Sequence, residues 1–150
     1  MHIDQEIKGR YRNDYHKGLI NLIYTVNKLN YDFLQQLKKH NLSEPQYNIL
    51  RVLRGYREEG PSNIGFLKER MLDKSSDVSR IVDKLFEKGL LNRKESSKDR
   101  RQKEIEISDK GLELLSKMTD CQKKEDTLLK KLTPAEVKEL NRLLDKIRNG

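Results

Sequence analysis

Between Leu19 and Leu37 the apolar residues fall three and four positions apart, at Leu19, Leu22, Ile23, Val26, Leu29, Phe33, Leu34 and Leu37. That rhythm predicts a long amphipathic helix. Ile20, Tyr24 and Tyr31 form a second apolar stripe on the same helix. Two apolar faces need two surfaces to cover them, the helix's own domain and a partner. Three further helix starts share one signature. In Leu42-Ser43-Glu44-Pro45-Gln46-Tyr47, Ser43 is placed as N-cap, Gln46 reaches back to the cap, and Leu42 staples onto Tyr47. Leu132-Thr133-Pro134-Ala135-Glu136-Val137 repeats the pattern, with Pro134 at the first helical position, where its missing N–H costs nothing. Ile107-Ser108-Asp109-Lys110-Gly111-Leu112 has the staple and the cap, but Gly111 has no side chain to return a bond. These starts predict helices over Ser43 to Glu58, Ser108 to about Lys130, and Thr133 to Arg148.

The middle of the chain has a different texture. Gly60-Pro61-Ser62-Asn63 breaks it, and Ser62 or Asn63 caps a short helix that runs through Met71. Asp73 or Ser75 caps the next, which ends at Gly89 as a left-handed stop. On this helix Val78, Ile81, Val82, Leu85 and Phe86 form the face expected to be buried, and Ser76, Ser79, Arg80 and Asp83 the opposite one. Leu90-Leu91 returns to the core. Arg93 to Glu95 and Lys103 to Ile107 then read as two strands around the tip Ser96-Ser97-Lys98-Asp99-Arg100. Two short helices joined by Leu72-Asp73-Lys74 and followed by a hairpin make a winged helix-turn-helix. The fold class is mainly α, with a small β-hairpin wing between long N- and C-terminal helices. No repeat or linker interrupts the chain, so residues 1–150 read as one folding unit.

Composition sharpens this picture. Only 34% of the residues are hydrophobic, while 37% are charged, far above the ~25% of an ordinary soluble domain. Long helices with solvated flanks, or a core completed by a second copy, account for both figures. The formal charge of +8 and pI near 9.5 favour a polyanionic partner, because neutralising phosphates releases condensed counterions. The excess is concentrated. From Asn92 to Lys103 there are six cations (Arg93, Lys94, Lys98, Arg100, Arg101 and Lys103) against Glu95 and Asp99. Half of the net charge therefore sits in twelve residues.

That placement beside a helix points to duplex DNA. A helix fits the ~12 Å major groove, where base edges show distinct donor and acceptor patterns. Its backbone comes close only if the side chains are short, which Ser75, Ser76 and Ser79 provide. Arg80 has the planar fork to hold guanine or phosphate, and Lys84 extends the cationic side of the same helix. Asp77 is expected to cap, to pair with a cation, or to accept from a cytosine amine. At the wing tip, Asp99 stands two residues before Arg101, a spacing that lets the carboxylate hold the guanidinium extended for a narrow minor groove. Lys98, Arg100 and Lys103 complete the cationic set.

These residues resemble the MarR (multiple antibiotic resistance regulator) family of winged-helix proteins. The resemblance rests on Leu42-Ser43-Glu44-Pro45-Gln46-Tyr47-Asn48-Ile49-Leu50, Ser79-Arg80-Ile81-Val82-Asp83-Lys84-Leu85, Lys88-Gly89-Leu90-Leu91-Asn92-Arg93, Asp99-Arg100-Arg101 and Ile107-Ser108-Asp109-Lys110-Gly111. They occur in family order and spacing from about residue 19 to 148. The resemblance implies a homodimeric transcriptional regulator, most often a repressor, on a pseudo-palindromic operator in double-stranded DNA. Residues 1–40 and 108–150 would supply the dimerisation helices, and 43–107 the DNA-binding lobe. The helix matching Ser75 to Lys88 would read the major groove, and Arg101 would enter the minor groove. The chain departs from the family pattern at Lys68, where a small residue is usual, and in a reading turn without glycine. Many such regulators release DNA when a small phenolic or anionic effector binds between dimer base and lobe; the matching liners are His16, Tyr24, Tyr31 and Tyr47.

Other functions lack their residues. The single cysteine, Cys121, excludes an intrachain disulfide framework, and it sits among lysines in a late helix rather than near the N-terminus, where oxidant-sensing relatives carry theirs. His2, His16 and His40 form no i, i+4 pair, so neither a metal nor a cofactor is expected. There is no glycine-rich phosphate loop, no nucleophile with a local base and no His-Glu metal helix, which argues against an enzyme. No apolar run approaches the ~20 residues of a membrane span, and no signal-peptide core is present, so a cytoplasmic location is expected. The alternative is a winged-helix module that binds protein instead of DNA. Such a module would not need Lys98, Arg100 and Arg101.

Overall fold

A computed structural model describes residues 1–99 and 101–150; Cys121 is described in its backbone only. The chain forms two compact units, 1–35 and 36–150.

The first unit holds a short helix, α1 (Ile3–Glu6), and most of a long one, α2 (Asp14–Lys39). Two ion pairs hold the N-terminal segment on α2, Lys17 Nζ to Asp4 at 2.7 Å and Lys28 Nζ to Glu6 at 2.9 Å, and Ile3 is buried. The periodic residues of α2 divide. Phe33 and, beyond the unit's end, Leu37 are buried, whereas Leu19, Leu22, Ile23 and Val26 are between 37% and 54% exposed.

The second unit takes in the last turn of α2, which stops at Lys39. Asn41 adopts φ 55°, and the Leu42 N–H reaches back to the Leu37 carbonyl at 2.9 Å, the two features of a left-handed helix stop. Next comes α3 (Glu44–Gly55), whose start forms the full reciprocal cap: Ser43 Oγ accepts from Gln46 N at 3.2 Å, and Gln46 Oε1 accepts from Ser43 N at 3.1 Å. The helix ends at Gly55, short of the Glu58 that the sequence suggests, because Tyr56 turns its N–H onto the Arg54 and Val52 carbonyls and a single 3₁₀ turn, Arg57–Glu59, follows. The reading element comprises α4 (Ile64–Glu69) and α5 (Val78–Glu87), followed by the antiparallel pair β1 (Leu91–Glu95) and β2 (Lys103–Ile107). The register pairs Leu91 with Ile107, Arg93 with Ile105 and Glu95 with Lys103. Strand β1 begins two residues earlier than the sequence suggests, since Leu91 is itself a fully buried rung of the ladder. Ser62 adds an unforeseen rung. Its N–H and carbonyl bond Ile105 at 2.9 and 2.8 Å, tying the approach to α4 onto β2.

The helix expected over Ser108 to Lys130 is two, α6 (Asp109–Lys117) and α7 (Thr119–Thr127). Met118 is buried at the join, and the Thr119 hydroxyl donates to the Ser116 carbonyl at 2.6 Å, a side-chain bond that competes with the helical ladder. After it, α8 (Pro134–Asn149) carries the second full cap: Thr133 N donates to Glu136 Oε1 at 2.9 Å, and Thr133 Oγ1 accepts from Glu136 N at 3.2 Å. No described residue of α8 is buried, and Leu143 and Ile147 lie open to solvent.

Ile49, Leu50 and Leu53 of α3, Leu67 of α4, Val78, Val82 and Leu85 of α5, Leu91 and Ile105 of the hairpin, and Leu115 of α6 are all buried. This lobe core fixes where the reading element stands. Phe86, expected in that core, is instead 42% exposed, and Ile81 is half-buried.

Candidate nucleic-acid interface

The first helix of the pair starts at Asn63, whose Oδ1 accepts from Phe66 N at 2.8 Å. Beyond Glu69 the chain turns, and Lys74 Nζ folds back onto the α4 carbonyls of Glu69 and, at 3.3 Å, of Lys68. A lysine there satisfies acceptors that the helix end leaves open. Asp73 Oδ1 accepts from the Ser75 N–H at 3.0 Å and from its hydroxyl at 2.6 Å. Those two bonds hold the Asp73 carboxyl below its ordinary range.

Asp73 and Ser75 therefore build the turn and do not cap the reading helix. The cap is Asp77, whose Oδ1 accepts from Arg80 N at 3.3 Å, so α5 starts at Val78. Ser75 and Ser76 precede the helix, in contrast to the sequence expectation. The Ser75 hydroxyl is engaged with Asp73, and the Ser76 Oγ is buried. On α5 itself Ser79, Arg80, Asp83 and Lys84 are exposed. The helix closes with Gly89 at φ 74°, as expected, and the Leu90 N–H reaches the Leu85 carbonyl at 3.0 Å.

The wing is bolted to this helix at its base. Arg93 Nη1 donates to Asp83 Oδ1, and the guanidinium lies 4.4 Å from the centre of the Phe86 ring. This explains Phe86: its ring supports a cation instead of entering the core. Lys94 pairs across the ladder with Glu104 at 3.6 Å. The expected Asp99–Arg101 ion pair does not form among the described residues. Asp99 Oδ1 accepts instead from the Arg101 main-chain N–H at 3.0 Å, and the Gln102 N–H closes onto the Asp99 carbonyl at 3.0 Å. A carboxylate two residues back bends the tip more readily than it reaches along a six-atom side chain. Arg100 lies outside the described residues.

The wing cations thus fall into two groups. Arg93 and Lys94 at the base are ion-paired. Among the described residues Lys98, Arg101 and Lys103 near the tip, with Arg80 and Lys84 on α5, are exposed and form no ion pair. Such cations on α5 and on the adjoining hairpin make a surface suited to a polyanion.

The sequence profile of the MarR family matches residues 42–103, the span from the α3 cap to the second wing strand. The HTH-type transcriptional regulator MgrA of Staphylococcus aureus is 30% identical over 110 residues, covering 73% of this chain and 72% of its own. The chain belongs to the MarR family. The HTH-type transcriptional repressor IacR of Pseudomonas putida is 31% identical over 110 residues, 73% of this chain and 64% of its own length. The chain thus spans just under two thirds of IacR. The fold of MepR from S. aureus, solved as a DNA complex, superposes with a TM-score of 0.73 at 20% identity, covering 93% of this chain and 98% of that one. Identity that low shows the fold alone. The chain is accordingly a winged-helix member of the MarR family, and the relatives it matches are transcriptional regulators rather than enzymes.

The expected effector residues occupy both units. In the first, His16 Nδ1 accepts from Arg12 N at 3.2 Å, Tyr24 donates to Glu6, and Tyr31 is 63% exposed. In the second, Tyr47 is buried on α3. Among the described residues no helix is long and apolar enough to cross a membrane, and no three metal-ligating side chains converge.

Proposed function

We propose that two copies of this chain bind a pseudo-palindromic operator in double-stranded DNA and repress transcription from it. The single observation that carries this reading is the set of cations that form no ion pair among the described residues, Arg80 and Lys84 on α5 and Lys98, Arg101 and Lys103 on the wing, beside the paired Arg93 and Lys94 at its base. In this reading Ser79 and Arg80 face the base edges of the major groove, Ser75 and Ser76 shape the approach to them, and Lys84 and Lys103 position on phosphate. Arg101, beside the tip that Asp99 bends, enters the neighbouring minor groove, and Lys98 and Arg100 add to the positive charge there. A winged helix that binds protein instead of DNA would not need Lys98, Arg100 and Arg101.

The dimer is supported by apolar stripes that the chain leaves uncovered, Leu19, Leu22, Ile23 and Val26 on α2 and Leu143 and Ile147 on α8. Exposed apolar surface of that kind marks an interaction site. Residues 1–40 and 108–150 then serve as the dimer base and 43–107 as the reading lobe, with half-sites ~10 bp apart between centres. A small phenolic or anionic effector releases the operator.

Gel shifts at several salt concentrations test the electrostatic core of this reading. Arg101→Ala is expected to weaken binding and to lower the salt slope by about one unit. Arg80→Ala is expected to cost about 1–3 kcal/mol on the operator and less elsewhere. If the purified chain ignored duplex DNA at low ionic strength, the reading would be wrong.

A further inference from the structure

The turn between α4 and α5, residues 70–77, contains no glycine, and its shape decides where α5 begins. Two of its attachments are local, the Asp73–Ser75 bonds and the Lys74 ammonium on the α4 carbonyls. A third comes from a distant element. Asn48, 5% exposed on α3, accepts with Oδ1 from the Leu72 N–H at 2.8 Å. Leu72 cannot be placed by packing, because its side chain is 83% exposed. Its position is set through its main chain.

The amide's orientation follows from its partner, since an N–H needs an oxygen. That orientation leaves Asn48 Nδ2 buried with no hydrogen-bond partner among the described residues. A buried donor left unmade is costly. An apolar side chain of the same size at position 48 would avoid that cost. What only the amide supplies is a fixed acceptor for the turn.

We propose that Asn48 is a positioning residue for sequence recognition: through the Leu72 N–H it sets the turn, and so the register of Ser79 and Arg80 against the base edges. This rests on the DNA-reading role proposed above. The consequence is a division of labour. The wing cations Lys98, Arg101 and Lys103 lie outside α5, so losing the Asn48 bond should spare most of the binding strength on arbitrary DNA and remove the preference for one sequence.

The test starts from a duplex selected by the unmodified full-length chain from a randomised library, with a scrambled duplex of equal composition as reference. Asn48→Leu is expected to lose about tenfold or more on the selected duplex, with binding to the scrambled duplex within twofold and the salt slope unchanged. Asn48→Asp, which keeps an oxygen at the same place in either protonation state, is expected to restore the preference to within about threefold. Equal binding of the selected duplex by Asn48→Leu and parent would overturn the proposal. So would an equal loss on both duplexes, which marks a purely structural role. Should Asn48→Leu fail to fold, hydrogen exchange in the unmodified chain decides: the Leu72 amide is expected to be protected well beyond Asp73 and Lys74, and exchange at their rate would overturn the proposal. Failure to select any duplex would sink the DNA-reading role itself, a result distinct from these.

Discussion

Replacing Gly111 by alanine sets two physical effects directly against each other. Gly111 lies in the first turn of α6, and helix propensity alone makes Gly→Ala favourable by up to about 1 kcal/mol. The surroundings say otherwise. A Cβ at Gly111 would stand 2.2 Å from the Leu90 carbonyl oxygen and 2.7 Å from Ile107 Cγ1. The first is backbone and cannot swing aside, since the same carbonyl accepts from Ser108 N at 3.1 Å. Ser108 Oγ meanwhile donates to the Gly89 carbonyl at 2.6 Å and accepts from Gly111 N at 3.1 Å, so the whole corner is pinned. Overpacking of a rigid site costs about 1–3 kcal/mol, and a main-chain overlap belongs at the top of that range. After the propensity gain the expected net loss is about 2 kcal/mol, which for a chain of this length lowers Tm by roughly 4–8 °C. Thermal and urea denaturation of Gly111→Ala measure it. An unchanged or raised Tm would refute the close approach of α6 to Leu90.

Two further outcomes can be checked at the bench. A double-mutant cycle with Asp83→Ala and Arg93→Ala should give a favourable coupling within about 0.2–1 kcal/mol, as for other partly exposed pairs, since their side chains are 58% and 28% exposed; additive losses would show that the wing base is not held there. In a spectrophotometric titration Tyr47 should ionise late, because burial raises its phenol above 10.0 and the Glu125 carboxylate adds to the shift, against opposing effects from the Gln122 hydrogen bond and the Arg51 and Arg54 charges. The raised value means that its contribution to stability is complete below the unfolded pKa and disappears as pH rises through the folded one. Tyr24, bonded to Glu6, is raised as well, so Tyr47→Phe should remove one of two late transitions; no change on that substitution would contradict the buried placement.

Helix starts were legible in the sequence wherever a local side chain makes the bond. Ser43 with Gln46 and Thr133 with Glu136 close the caps their spacing announces. Ambiguity entered where several caps compete. Asp73, Ser75 and Asp77 all fit the start of the reading helix, and only the tertiary turn assigns the first two to the loop and the last to the cap. Periodicity placed Phe86 inward because it counts hydrophobicity and cannot see a guanidinium arriving from another strand. The break at Met118 was invisible for a related reason: its cause is the Thr119 hydroxyl, and threonine mid-helix is common enough to carry no warning. Asn48 offered no signal at all. Its meaning lies in a main-chain N–H twenty-four residues away.

The rung between Ser62 and Ile105 is made of main-chain groups on both sides. Such stitches are indifferent to which side chains sit on them, so the frame joining the approach of α4 to the wing tolerates substitution. The fastenings of α5, by contrast, are particular side chains: Asn48 at its entry, Asp83 and Arg93 along its flank. Changes of sequence can therefore re-aim α5 while its chassis stays put, which, under the DNA-reading role proposed above, is the mechanical condition for acquiring new operators without reinventing the lobe.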